Sequence, residues 1–137
     1  MKAWSVLRRL TWDQRWTLLV AALLLPVCAV LIRCTSLARL LAPVHGPATS
    51  RPGALADALA AARAVNLAAA RLRATCLTRS LTLHWILARR GIGTVLRVGV
   101  RNEGDGGLHA HAWVECDGVP VNDSTHGVQG FARLDLA

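Results

Sequence analysis

The sequence predicts an α+β protein, and two observations carry that expectation. Up to residue 90 the chain consists of apolar, helix-forming segments, whereas after Gly93 helical spacing gives way to short Val- and Thr-containing runs broken by Gly and Asp. A chain of 137 residues supplies one modest core and little room for a second domain. The expected layout is an N-terminal apolar helical region with its linker, residues 1–50, followed by a core at 51–137 in one compact unit.

The first element to justify is Thr17–Ile32, TLLVAALLLPVCAVLI, which carries no charge between Arg15 and Arg33. A membrane span normally needs about twenty residues, and Pro26 disfavours a continuous helix, so a buried helix pair is expected. The rival is a peripheral membrane contact through residues 4–42. Trp12 and Trp16 would then sit at the interface, with Arg8, Arg9, Arg15 and Arg33 toward lipid headgroups. Residues 43–53, PVHGPATSRPG, form a connection.

Leu55–Ala74 is dominated by Ala and Leu without Gly or Pro and predicts one long helix. A second helix spans Cys76–Arg90, with Leu77, Leu81, Leu83, Ile86 and Leu87 on its apolar face. Arg89 and Arg90 suit the negative end of its dipole, and Gly91 is placed to terminate it. Thr94–Val100 reads as a strand. Leu108–Cys116 and Val119–Asp123 form a hairpin about Asp117-Gly118.

Apolar residues make up 53% of the chain, and the formal net charge is +8, carried by arginine except for one lysine. Such a balance suits an acidic partner, a membrane surface or a nucleic acid. No base-reading motif accompanies it, so nucleic acid is not an expected partner. Cys28, Cys34, Cys76 and Cys116 form no CxxC pair or zinc-type cluster. A disulfide framework is not expected, and no clear signal-peptide cleavage site follows the apolar stretch. These features point to the cytoplasm, with peripheral attachment at the inner membrane face if the N-terminal segment meets lipid. No cofactor motif is present, and without a P-loop any ATP dependence would come from elsewhere.

Cys76 opens its helix, where unpaired N–H groups and the dipole favour a thiolate and could hold an oxyanion. A lone cysteine is otherwise a small buried hydrophobe, so a base within reach decides the matter. The stretch LHAHAWVECDGVPVND offers one in a particular register. With a two-residue Asp117-Gly118 loop, Ala112 faces Asp123, and His111 and Asp123 point to opposite sides of the sheet. With a three-residue Cys116-Asp117-Gly118 loop, His111 faces Asp123, and the carboxylate can orient the imidazole as in a Cys–His–Asp triad. The catalytic reading therefore expects the three-residue loop.

A metal site on His109 and His111, with His84 or His126, is the competing reading. No third ligand is fixed by spacing, so no metal is expected. His45, His84 and His126 are otherwise ordinary polar or helix-surface residues. Glu115 reads as a rim or structural carboxylate, and Cys28, Cys34 and Cys116 read as packing residues.

Taken together, ATCLTRSLTLHWILARRG and LHAHAWVECDGVPVND resemble the transglutaminase-like leader peptidases of lasso-peptide biosynthesis, the microcin-processing type, over residues 55–131. The resemblance implies a papain/transglutaminase-like arrangement, with the cysteine-bearing helix packed on a small antiparallel sheet. It assigns Cys76 as nucleophile, His111 as base and Asp123 as orienter. Arg79 and Trp113 become candidate substrate contacts, with pairing to a carboxylate as the other role for Arg79. Ser80, in the same motif, is expected to bond back along its helix. The implied activity is removal of the leader from a precursor peptide, freeing the core N-terminus for a separate lasso cyclase. The N-terminal region is too short and too helical for a leader-recognition domain, so the resemblance is to the stand-alone form, served by a separate leader-recognition protein. The alternatives are another thiol peptidase or acyl transferase of the same superfamily, and a non-catalytic membrane-associated scaffold.

Overall fold

The computed structural model describes residues 2–41 and 51–134. Most of the Pro/Gly-rich connection, with His45, lies outside these residues. A short helix α1 (Lys2–Arg9) precedes α2 (Trp12–Cys34), whose start is fixed by a reciprocal cap. Thr11 Oγ1 accepts from the Gln14 amide while Gln14 Oε1 accepts from the Thr11 amide. The expected helix pair is not formed, because α2 runs unbroken through Pro26. Proline removes one hydrogen bond from a helix of 23 residues. Burial of Ala21 and Leu25 on one side of Pro26 and Cys28 on the other keeps both halves on the same body.

After α3 (Leu37–Leu41), helix α4 (Ala54–Leu72) and helix α5 (Cys76–Arg89) complete the helical layer. Small residues line α4 where α2 crosses it: Ala58, Ala61, Ala62, Val65, Ala68 and Ala69 are all buried. Their small side chains allow the two backbones to approach closely, and this seam forms much of the core. Gly91 ends α5 in the left-handed region (φ 72°). Its amide donates to the Ala88 carbonyl and the Ile92 amide to that of Leu87, as a Schellman cap requires. The Arg90 guanidinium then bonds Thr17 Oγ1 and Asp13, tying the end of α5 to the first turns of α2.

The sheet is antiparallel with order β3-β2-β1-β4, where β1 is Val95–Asn102, β2 Leu108–Cys116, β3 Val119–Pro120 and β4 Ala132–Leu134. Helix α5 lies across β2 and reaches β1. Ala112, Val114 and Cys116 are buried on one face of β2, and Val114 and Cys116 belong to the same core cluster as α2, α4 and α5. The protein is thus α+β, with N-terminal helices against a small antiparallel sheet, as expected. The short helix α6 (Thr125–Val128) and strand β4 are additions that the sequence patterns did not reveal.

Several expectations require correction. His84 is buried, not on a helix surface, and its Nδ1 bonds Thr94 Oγ1 at 2.7 Å. Burial without a charge partner pushes its pKa down to about 4. Cys34 is exposed, while Cys28 is buried and burial pushes its thiol pKa up. The outward face of α2 is exposed, so only 22% of its most apolar stretch is buried.

Candidate functional site

Thr75 fixes where the cysteine helix begins. Its Oγ1 accepts from the Thr78 amide at 3.2 Å and shares a 2.9 Å hydrogen bond with Thr78 Oγ1, closing the N-terminus of α5. Cys76 is therefore the first helical residue, as its sequence position suggested, and it is half-buried. The cap occupies the Thr78 amide, so those of Cys76 and Leu77 are left without a partner inside the helix.

The hairpin does not take the expected register. Cys116 pairs with Val119 and Glu115 with Pro120, which leaves a two-residue Asp117-Gly118 loop. Both loop residues have positive φ (51° and 79°), the type I′ turn whose twist suits a hairpin. Continued regularly, this register would separate His111 from Asp123. Yet His111 Nε2 and Asp123 Oδ2 are hydrogen-bonded. The strand ends before alternation can place Asp123.

Asn122 is the residue that redirects the chain. The Val121 amide still donates to the Val114 carbonyl, but the Val114 amide donates to Asn122 Oδ1 at 2.9 Å and not to a β3 carbonyl. The Asn122 side chain thereby replaces the backbone in the ladder, and the next residue is released from the pleat. Its Nδ2 donates to Ser80 Oγ, which itself donates to the Ala112 carbonyl, and its own carbonyl accepts from Asn66 Nδ2. Ser80 thus bonds across to β2 instead of back along α5. One buried residue, through its side chain to β2 and α5 and its carbonyl to α4, ties these elements to the segment that carries Asp123.

The Asp123 carboxylate is held at both oxygens. Oδ1 accepts from the Ser124 amide at 2.8 Å, and Oδ2 meets His111 with Arg79 at 3.9 Å. Arg79 and Ser80 lie three and four residues beyond Cys76, so all three share one face of α5. The structure brings His111, Asp123 and Arg79 together, with Cys76 one helical turn from Arg79. Among the described residues Cys76 Sγ makes no hydrogen bond. With Nε2 taken by the carboxylate, Nδ1 of His111 is the nitrogen available for proton transfer.

The sequence matches the transglutaminase-like superfamily over residues 21–135. The chain belongs to the transglutaminase-like superfamily. Its members are generally cysteine-based enzymes. The match begins inside α2, so part of the apolar helix falls within the family region. No curated protein and no solved structure matches the chain.

In this superfamily member the remaining sequence candidates take other places. Trp113 is 1% exposed and stacks beside His111 with ring centroids 6.0 Å apart, so it supports the imidazole from within instead of facing a substrate groove. Its Nε1 donates to Glu115, which is 3% exposed and is no rim residue. Glu115 also accepts from Arg97 and Arg133 at 3.2 and 2.9 Å. Phe131, which no sequence pattern singled out, packs against His109, His111 and Trp113 and lies under the Arg101 guanidinium at 4.6 Å. Gly99 is opposite His111 on β1, and a Cβ there would come within 2.8 Å of Phe131 and 3.0 Å of Trp113. His109 and His126 are exposed. Among the described residues no group of three or more His, Cys, Asp and Glu could hold a metal.

Proposed function

We propose that the protein is a cysteine peptidase that removes the leader from a lasso-peptide precursor, with Cys76, His111 and Asp123 as its triad. The observation that carries this reading is the His111–Asp123 pair, held by Arg79 and Asn122 against the helix that Cys76 opens. Its partners are the precursor's leader region, a separate leader-recognition protein and the cyclase that uses the product.

In this mechanism Nδ1 of His111 takes the Cys76 proton, and the thiolate attacks the scissile carbonyl. The oxyanion is received by the Cys76 and Leu77 amides at the positive end of α5. The C–N bond breaks as the imidazolium returns its proton to the core amine, leaving the leader as a thioester. Water, deprotonated by His111, hydrolyses the thioester to the leader carboxylate and restores the thiol. Asp123 fixes the tautomer and stabilises the imidazolium throughout. Thiol and imidazole draw together on substrate binding, as catalytic hydrogen bonds are commonly longer in free enzymes.

Purified protein, precursor and leader-recognition protein, assayed by mass spectrometry, test the proposal. The wild type should yield free leader and core. Cys76→Ala should yield neither while its circular dichroism is unchanged, and Asp123→Asn should be slowed on the order of 10²–10⁴-fold. Full processing by Cys76→Ala would overturn the assignment.

A further inference from the structure

On the outside of α2, Trp12, Trp16, Leu19, Leu23, Val27 and Val30 are all exposed. Their spacing of four, three, four, four and three residues keeps them on one helical face about 27 Å long. Between Trp16 and Val30 every exposed residue of α2 is apolar, since only Ala22 and Pro26 accompany these. The opposite face, with Thr17, Ala21, Leu25 and Cys28, is buried. A groove of about 240 Å³ extends the apolar surface onto α1 and α4, lined by Leu7, Leu18, Ala22, Leu67, Leu72 and Arg71 among others.

We propose that this face of α2 seats the protein flat on an anionic lipid surface. The inference does not depend on the peptidase reading. Exposed apolar patches of this extent mark interaction or membrane sites, and the charges around it select lipid. Arg8 and Arg9 lie just before the stripe, Arg15 stacks on Trp12 at 5.4 Å and Arg33 closes the far end. The acidic residue nearby, Asp13, is already paired with Arg90. An apolar helix face with tryptophan at one end and cations at both has the composition of an interfacial helix.

A second copy fits poorly. At 100° per residue Arg15 and Arg33 fall on the same edge of the stripe, and antiparallel pairing sets like edges against each other. Parallel pairing would bring together the two Arg8-Arg9 ends. A protein partner would ordinarily find hydrogen-bonding groups every 100–200 Å² or so, and the side chains of the outward face from Leu19 to Val30 offer none. Spanning the bilayer would detach Ala21, Leu25 and Cys28 from α4 and α5, so α2 lies in the interfacial plane with its inner face still on the body.

The test is sedimentation of the full chain with phosphatidylglycerol vesicles and, separately, phosphatidylcholine vesicles. The wild type should bind the anionic vesicles at least ~10-fold more strongly, and salt should weaken that binding. Leu19→Gln/Leu23→Gln/Val27→Gln should reduce binding ~10-fold or more with unchanged circular dichroism. Arg8→Gln/Arg9→Gln/Arg33→Gln should abolish the preference for phosphatidylglycerol. The proposal is overturned if the wild type leaves both vesicle types unbound, if it forms a dimer that Leu23→Gln dissociates, or if bound protein resists alkaline extraction as a spanning helix does.

Discussion

The two faces of β2 are built from alternate residues of one strand, yet they are held by different physics. Toward α5 the strand presents Ala112, Val114 and Cys116, apolar or small and buried in the common core. Away from it the strand presents His109, His111, Trp113 and Glu115. There a stack of rings is oriented by hydrogen bonds: Glu115 fixes Trp113, Trp113 and Phe131 flank His111, and Asp123 holds the imidazole. Burial is tolerant of detail, because many side chains of similar volume fill the same space. A hydrogen-bonded ring stack is not, since each member needs its own partner. One face should therefore govern whether the protein folds, and the other what the folded protein does.

The largest expected effect separates the two faces directly. His111→Ala removes the proposed base from a half-buried site and should lower cleavage at least ~10³-fold, with a melting temperature close to wild type. Val114→Ala removes two methyl groups from the buried face and should do the reverse, costing about 2 kcal/mol by denaturant titration while folded protein keeps its turnover. If His111→Ala unfolds the protein, or Val114→Ala abolishes turnover in the folded state, the division between faces fails.

Glu115→Gln probes the same division at a point where it should blur. The amide can still accept from Trp113 through its oxygen, but its NH₂ group then meets an arginine, donor against donor. Both arginines are partly exposed, so the loss is discounted to about 2 kcal/mol. Because Trp113 supports His111, turnover should also fall, on the order of 10-fold. Unchanged turnover with reduced stability would show that Glu115 serves the fold alone.

Helices α4 and α5 were legible because each signal acted locally, whereas α2 was not, since burial on both sides of Pro26 outweighs the one hydrogen bond that proline removes. Arg89, Arg90 and Gly91 mark the end of α5, and the alanine-rich run from 54 to 72 has nothing to interrupt it. The class of the sheet and the partnership of His111 with Asp123 were legible too, but the route to that partnership was not. Alternation predicts faces only while a strand continues, and Asn122 ends it by substituting its side chain for a backbone carbonyl. Asparagine beside aspartate carries no pattern that distinguishes such a substitution from an ordinary turn. Phe131 and β4 were hidden for a related reason. Three residues pairing with β1 from beyond a loop are too few for a period, and their place depends on Gly99 leaving room across the sheet.

The buried side has its own acid sensitivity, carried by His84 on α5. Its folded-state pKa of about 4 lies below the ordinary value of about 6.5. Above pH 6.5 the ring is neutral in both states and imposes no pH dependence. As pH falls from about 6.5 to about 4 the unfolded chain takes up a proton that the folded chain excludes, so stability falls through that window by on the order of 3 kcal/mol. Denaturant midpoints at pH 7 and 4.5 should therefore lie further apart for the wild type than for His84→Gln. Equal separation in the two proteins would place the acid sensitivity on other groups.

The smallest effect tests how finely the hydrogen-bonded side is set. Gly127 lies in α6, where its amide donates to Ser124 Oγ, and a Cβ there would stand 2.6 Å from Asp123 Oδ1. Its φ is not positive, so alanine carries no backbone strain, and what it crowds is the Asp123 carboxylate and, at 2.9 Å, the Ser124 Oγ that caps α6. Both α6 and Asp123 are on the surface side of the sheet, so the core does not feel the added methyl group. Gly127→Ala should therefore shift Asp123 by some tenths of an ångström and cut turnover on the order of 10-fold, at a stability cost under about 1 kcal/mol. Cleavage at the wild-type rate would mean that the carboxylate tolerates displacement, and that orientation of His111 rests on Trp113 and Phe131 more than on Asp123.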